Sequence, residues 1–112
     1  MDEKGRILVE NFNEYYTSGL DAFKKRNYNT ATTLFFKAIV ALCDLIILQK
    51  EGSMPSSHSD RFRILEEKYP ELYAIADKDF PFYQDSYTKK MDEEAAKLLK
   101  EDAEELKKIA GI

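Results

Sequence analysis

Leu34-Phe35-Phe36-Lys37-Ala38-Ile39-Val40-Ala41-Leu42-Cys43-Asp44-Leu45-Ile46-Ile47-Leu48 is the stretch on which the fold turns. Thirteen of its fifteen residues are apolar, and only Lys37 and Asp44 interrupt them. A surface helix shows one apolar stripe, whereas this run is apolar nearly all the way round. A bilayer span takes roughly 20 predominantly apolar residues, and this run is shorter and interrupted. It predicts a central helix, covered by neighbouring helices, by a second copy of the chain, or by both. An apolar face left open on one chain is the kind of patch that a two-fold interface covers. A homodimer through Leu34–Leu48, with no membrane partner, is the expectation.

Outward from that run, Leu8, Phe12, Tyr15, Tyr16, Gly19 and Phe23 recur at spacings of three and four. That places them on one helical face and predicts a first helix from about residue 3 to 26. Asn27-Tyr28-Asn29 breaks it, with Asn29 as the expected cap of a helix over Thr30–Lys50. Gly52 fits the left-handed position just past that helix, and the short connection makes the first two helices an antiparallel hairpin. Ser53-Met54-Pro55-Ser56-Ser57-His58-Ser59 reads as a loop. Ser59 or Asp60 then caps a short helix whose Phe62, Leu65 and Tyr69 share a face. Pro70 either ends that helix or opens the next one, which carries Leu72, Tyr73, Ile75 and Ala76 and stops before Pro81. Asp79-Phe80-Pro81-Phe82-Tyr83 is expected as an ordered aromatic loop. Met91, Ala95, Leu98, Asp102, Leu106 and Ile109 outline a last helix from about Thr88 to Ala110. The expected architecture is all-α, one domain over residues 1–112, an up-and-down bundle of four to five helices.

The bulk properties agree. At 112 residues, with 44% hydrophobic and 34% charged residues, the chain is long enough for one core and too apolar to be disordered. A net charge of −4 argues against wholesale nucleic-acid binding. Charge is nevertheless segregated, with Lys24, Lys25 and Arg26 in one run and Asp92, Glu93 and Glu94 in another. Cations at helix C-termini and acids at N-termini account for both runs. The single cysteine, Cys43, rules out an internal disulfide and is expected as a buried inert thiol. The first residues lack the apolar segment of a signal peptide, which makes the cytoplasm the expected location.

Few residues carry chemistry. His58 is the only histidine, and Arg61 and Arg63 follow it. They read either as a ligand contact with arginines holding phosphate or as the capping region of a helix. Tyr83 and Tyr87 lie four apart beside Lys89 and Lys90, a pattern that stacks bases and holds phosphates but equally packs a helix start. The carboxylates from Asp92 to Glu105 have no histidine nearby and fit a solvated face with pairs such as Glu93–Lys97 and Glu104–Lys108. No metal site, cofactor, Gly-rich phosphate loop or nucleophile elbow is indicated.

Three segments resemble the HEPN family (higher eukaryotes and prokaryotes nucleotide-binding). Asn27-Tyr28-Asn29-Thr30-Ala31 resembles its Gly-x-Tyr-x-x-Ala turn, and Pro55-Ser56-Ser57-His58-Ser59 its Pro-x-x-His approach to the third helix. Asp85-Ser86-Tyr87 resembles its late Ser-Arg-Tyr segment, with Ser86 where arginine is expected. The resemblance spans Tyr15 to Lys108. It implies a HEPN-like helical bundle, usually a symmetric dimer, that cleaves RNA as a toxin or pairs with a small nucleotidyltransferase. The family's Arg-x4–6-His ribonuclease motif is missing, because no arginine follows Arg63 and no histidine follows His58. The resulting expectation is a non-catalytic homodimer binding a nucleotide, a nucleic acid or a partner protein through the cleft between its subunits, lined by His58, Arg61, Arg63, Tyr87, Lys89 and Lys90. The alternative is a protein-interaction subunit, an antitoxin or nucleotidyltransferase companion, with no nucleic-acid contact.

Overall fold

The computed structural model describes residues 1–112, folded as five helices without strands: α1 (Glu3–Lys24), α2 (Tyr28–Glu51), α3 (His58–Lys68), α4 (Pro70–Asp85) and α5 (Glu93–Ala110). At 1.5 Å per residue the 24 residues of α2 reach about 36 Å, nearly the 38 Å length of the molecule. The other helices pack around it. Twelve of the 25 buried residues belong to α2, so the apolar run is the core.

The chain itself covers that run. Of the thirteen apolar residues from Leu34 to Leu48, only Leu34, Val40 and Leu48 stay half-buried. By length and composition α2 is sufficient for a bilayer span, so shortness does not exclude one as the run of fifteen suggested. Instead, 78% of its most apolar window is buried against α1, α4 and α5, which makes it the core helix of this bundle.

Local chemistry sets the boundaries. Asp2 caps α1 by accepting from Gly5 N at 2.9 Å, and Asp92 caps α5 by accepting from Ala95 N at 2.8 Å. Gly52, at φ 82°, ends α2 in the left-handed region that glycine enters without strain. Ser57, rather than Ser59 or Asp60, caps α3: its Oγ accepts from Asp60 N, while Asp60 Oδ2 accepts from Ser56 N. The two side chains satisfy each other's neighbouring backbone, as in a capping box. His58 is thereby the first residue of α3 and not part of the loop.

Four further expectations need correcting. Asn27, not Asn29, stands at the N-cap of α2, and Asn29 lies inside the first turn. The aromatic segment 79–83 is helical, because α4 continues through Pro81. Pro81 cannot donate to the helix ladder, but it is exposed while its neighbours pack inward. Phe36 lies 5.8 Å from Phe80 and stacks on Tyr83 at 4.9 Å, ring centroid to centroid. Those aromatic contacts outweigh one lost backbone bond. Finally, α5 starts at Glu93 rather than Thr88, and its buried face is Ala95, Ala96, Leu99, Ala103 and Leu106. Leu98 and Asp102 sit at the margin of that face and Ile109 is exposed. Glu104 pairs back to Lys100 at 3.0 Å instead of forward to Lys108.

Helices α1 and α2 form the expected antiparallel hairpin and come together at Gly19. A Cβ there would lie 2.7 Å from the ring of Phe35, so only glycine lets the fully buried Phe35 reach α1. Helix α4 runs antiparallel to α2, with Asn29 against Ser86 and Phe36 against Phe80. Helix α3 is the outlier. It buries only Leu65 and is fastened to α2 by polar side chains.

Candidate functional site

Lys37 and Asp44, the two polar residues of the apolar run, are seven apart and therefore on one side of α2. Thr30, Thr33, Lys37, Val40 and Asp44 follow the spacing three, four, three, four, which makes a single stripe. This stripe is the one side of α2 that the other helices leave accessible: Lys37 is exposed and Thr33, Val40 and Asp44 are half-buried.

A groove of about 220 Å³ opens on the lower half of the stripe. Its floor is Phe36, Val40 and Ala41, its walls are Leu8 and Tyr15 of α1 and Tyr83 of α4, and its rim carries Lys37, Asp44 and His58. Leu8 and Tyr15 are brought there by the seven-residue spacing of α1, while Tyr83 is held in place by stacking on Phe36. The Tyr83 hydroxyl bonds that of Tyr87 at 2.9 Å, and the two rings meet edge to face. Tyr87 itself is 72% exposed.

One end of the groove is closed by a chain of three side chains. Arg61 grips Asp44 with two parallel bonds, Nε to Oδ1 at 2.7 Å and Nη2 to Oδ2 at 2.9 Å. Such a fork is the strongest geometry open to an arginine and a carboxylate. Arg61 Nη1 also lies 2.7 Å from His58 Nδ1. A guanidinium only donates, so Nδ1 accepts and the ring hydrogen sits on Nε2. With Asp44 neutralised by Arg61, the ammonium of Lys37 is the remaining charge of the groove, and it forms no ion pair.

The upper end of the stripe meets the α4–α5 connection. Thr33 Oγ1 lies 3.1 Å from Ser86 Oγ. Asn29 donates from Nδ2 to the carbonyls of Ser86 (2.9 Å) and Lys89 (2.7 Å) and accepts from Met91 N at 2.9 Å. One side chain thus fixes the segment that carries Tyr87, Lys89 and Lys90. Beside it a shallow polar recess of about 230 Å³ is lined by Arg26, Tyr28, Thr30 and Lys90. Lys89 stands 3.5 Å from Asp85, while Lys90 forms no ion pair.

No family model, curated protein or solved structure matches this chain. The geometry therefore carries the functional reading by itself. Of the six residues singled out from the sequence, His58 and Arg61 meet at the groove, and Tyr87 reaches it through Tyr83. Lys89 and Lys90 stand at the far end of the same stripe. Arg63 is elsewhere, on the outer side of α3, bound to Asp60 at 2.6 Å and Glu67 at 3.3 Å. Those two carboxylates occupy its guanidinium. Lys37, Asp44, Tyr15 and Asn29 were not among the candidates. The signal for the first two was present, since the only polar residues in the run Leu34–Leu48 shared a face. No three potential metal ligands come together, and burial holds the Cys43 thiol up at about 12, as an inert core sulfur.

Proposed function

We propose that this chain is a non-catalytic, HEPN-like binding domain that takes a nucleotide or an unpaired stretch of RNA along the open stripe of α2. The observation that carries this reading is the juxtaposition of an aromatic-walled slot with unpaired cations along the open side of α2, Lys37 on the helix itself and Arg26 and Lys90 on the connections beside its upper end. Tyr15, Tyr83 and Phe36 offer a place for a flat base, Lys37 stands at its lip, and Lys90 and Arg26 extend positive charge about two turns up the stripe. Arg61 acts as a positioning residue that holds Asp44 and His58, and Arg63 has no part in it. The non-catalytic assignment is supported by His58, whose acceptor nitrogen is already taken by Arg61 and is not free to accept a proton from a substrate.

A second reading keeps the same groove for a protein partner, a nucleotidyltransferase or toxin. It is favoured by Leu8 and Val40, half-buried apolar residues that an apolar partner side chain would cover. A second copy of the chain belongs to the same class, and it would rest on Leu34, Val40 and Leu48.

Fluorescence anisotropy with labelled single-stranded and hairpin RNA separates the two readings. With two or three phosphate contacts, single-stranded RNA should bind about tenfold more weakly at roughly 200 mM salt than at 50 mM. Lys37→Ala combined with Lys90→Ala should remove most of that binding, and the label should stay uncleaved. Absence of binding at low salt would overturn the nucleic-acid reading. Light scattering on the same samples reads self-association against the 13.0 kDa chain mass.

A further inference from the structure

We propose that Asp79 of α4 and Asp102 of α5 share one proton in the core, and that releasing it loosens the seat of α5 on the bundle. Asp79 is fully buried, and neither of its carboxylate oxygens meets a hydrogen-bond donor from the rest of the protein. Asp102 of α5 is the neighbour that acts on Asp79 by hydrogen bond and charge, and its own Oδ2 is buried. Lys78 Nζ approaches that oxygen at 3.1 Å as a charge neighbour. Asp102 therefore has a counter-ion and Asp79 has none. Two carboxylates this close cannot both remain ionised out of water, and a proton between them satisfies one donor and one acceptor.

The surroundings leave no other compensation. The charged groups acting on Asp79 are Asp102 across the helix interface and Lys78 on its own helix; α2 and α3, also packed against α4, send none to it. The buried polar side chains of α2 are Thr32 and Cys43, a hydroxyl and a neutral thiol. No third ligand is present to make the pair a metal site. Burial first, then the hydrogen bond to Asp102 and its charge, push the Asp79 carboxyl up to about 8, against a smaller opposing pull from Lys78. The folded value lies above the ordinary 3.8, so the favourable contribution is complete below about pH 4 and is lost as pH rises through about 8.

Asp79→Asn tests this, because the amide keeps the shape and can donate to Asp102 at every pH. Between about pH 5 and 7 the ratio of wild-type to D79N folding constants should fall about tenfold per pH unit, one proton's worth. At about pH 9 the amides from Leu98 to Leu106 should exchange faster in the wild type than in D79N. Should the variant fail to fold, a carboxyl-carbon NMR titration of the wild type reads the same property directly. The Asp79 resonance should move near pH 8, and in Asp102→Asn it should move at lower pH. A ratio independent of pH, or an Asp79 titration in the ordinary range of about 3.9, would overturn the proposal.

Discussion

Asn29 shows how much of the site depends on one short side chain. Its amide accounts for three hydrogen bonds to backbone between Ser86 and Met91, over a sequence separation of about sixty residues. Asn29→Ala removes all three and leaves Met91 N without that partner. A loss of about 1–3 kcal/mol in folding stability is expected, measured by urea unfolding. Asn29→Asp should recover only part, because a carboxylate accepts from Met91 N but cannot donate to the two carbonyls. If the RNA reading is right, Asn29→Ala also weakens binding at folded concentrations, since Tyr87, Lys89 and Lys90 lose their anchor. Nothing in the local sequence around Asn29 announces this. Read locally, an asparagine before an apolar run is a cap, and its partners lie sixty residues away.

Helix α3 is held differently from the other four. It contributes one fully buried side chain, against twelve from α2, and its attachment to α2 is the Arg61–Asp44 fork together with Glu51, which accepts from Lys68 and Tyr69. The side chains of Arg61 and Asp44 are only 12% and 13% exposed, so the pair is largely shielded and removing one partner strands the other. Asp44→Ala should therefore destabilise the protein by about 2–4 kcal/mol. Native-state hydrogen exchange should show α3 opening at lower cost than α2, with the gap widened in the variant. Equal protection of α3 and α2 would contradict this picture. The same substitution removes the partner that orients Arg61, and so disturbs His58 at the groove.

Across the molecule, two sets of carboxylates oppose each other in their response to pH. Glu104 is held below its usual range by the Tyr16 hydroxyl and Lys100, Glu51 by Lys68 and Tyr69, and Asp60 by Ser56 N and Arg63. Their folded values are depressed, so their contributions are present above the ordinary carboxylate range and are lost as pH falls through it. Asp79 has the opposite sign and loses its contribution as pH rises. Thermal unfolding across pH 3 to 9 should consequently peak at about pH 5. A stability that keeps rising to pH 8 would mean that the core carboxyl pair is not protonated as inferred.

An all-helical bundle of four to five helices, the antiparallel α1–α2 hairpin, the central place of α2 and the cap at Gly52 were all legible in residue order. Each rests on local periodicity or backbone preference, which neighbours within a few positions decide. The course of α4 through Pro81 was not legible, because its warrant is the packing of Phe80 and Tyr83 on Phe36. The same holds for the chain's own cover over α2, since periodicity shows that a helix is apolar all round but not what covers it. The candidate site divides along the same line. His58, Tyr87 and the lysines stood out by residue type, and the i,i+3 and i,i+4 carboxylates that hold Arg63 lie on its own helix, whereas the tying of Arg61 to Asp44 and the Asp79–Asp102 pair depend on contacts between different helices. Hydrophobic pattern acts over a few residues and can be read from a string; charge pairing and desolvation act through space, and only the folded molecule decides them.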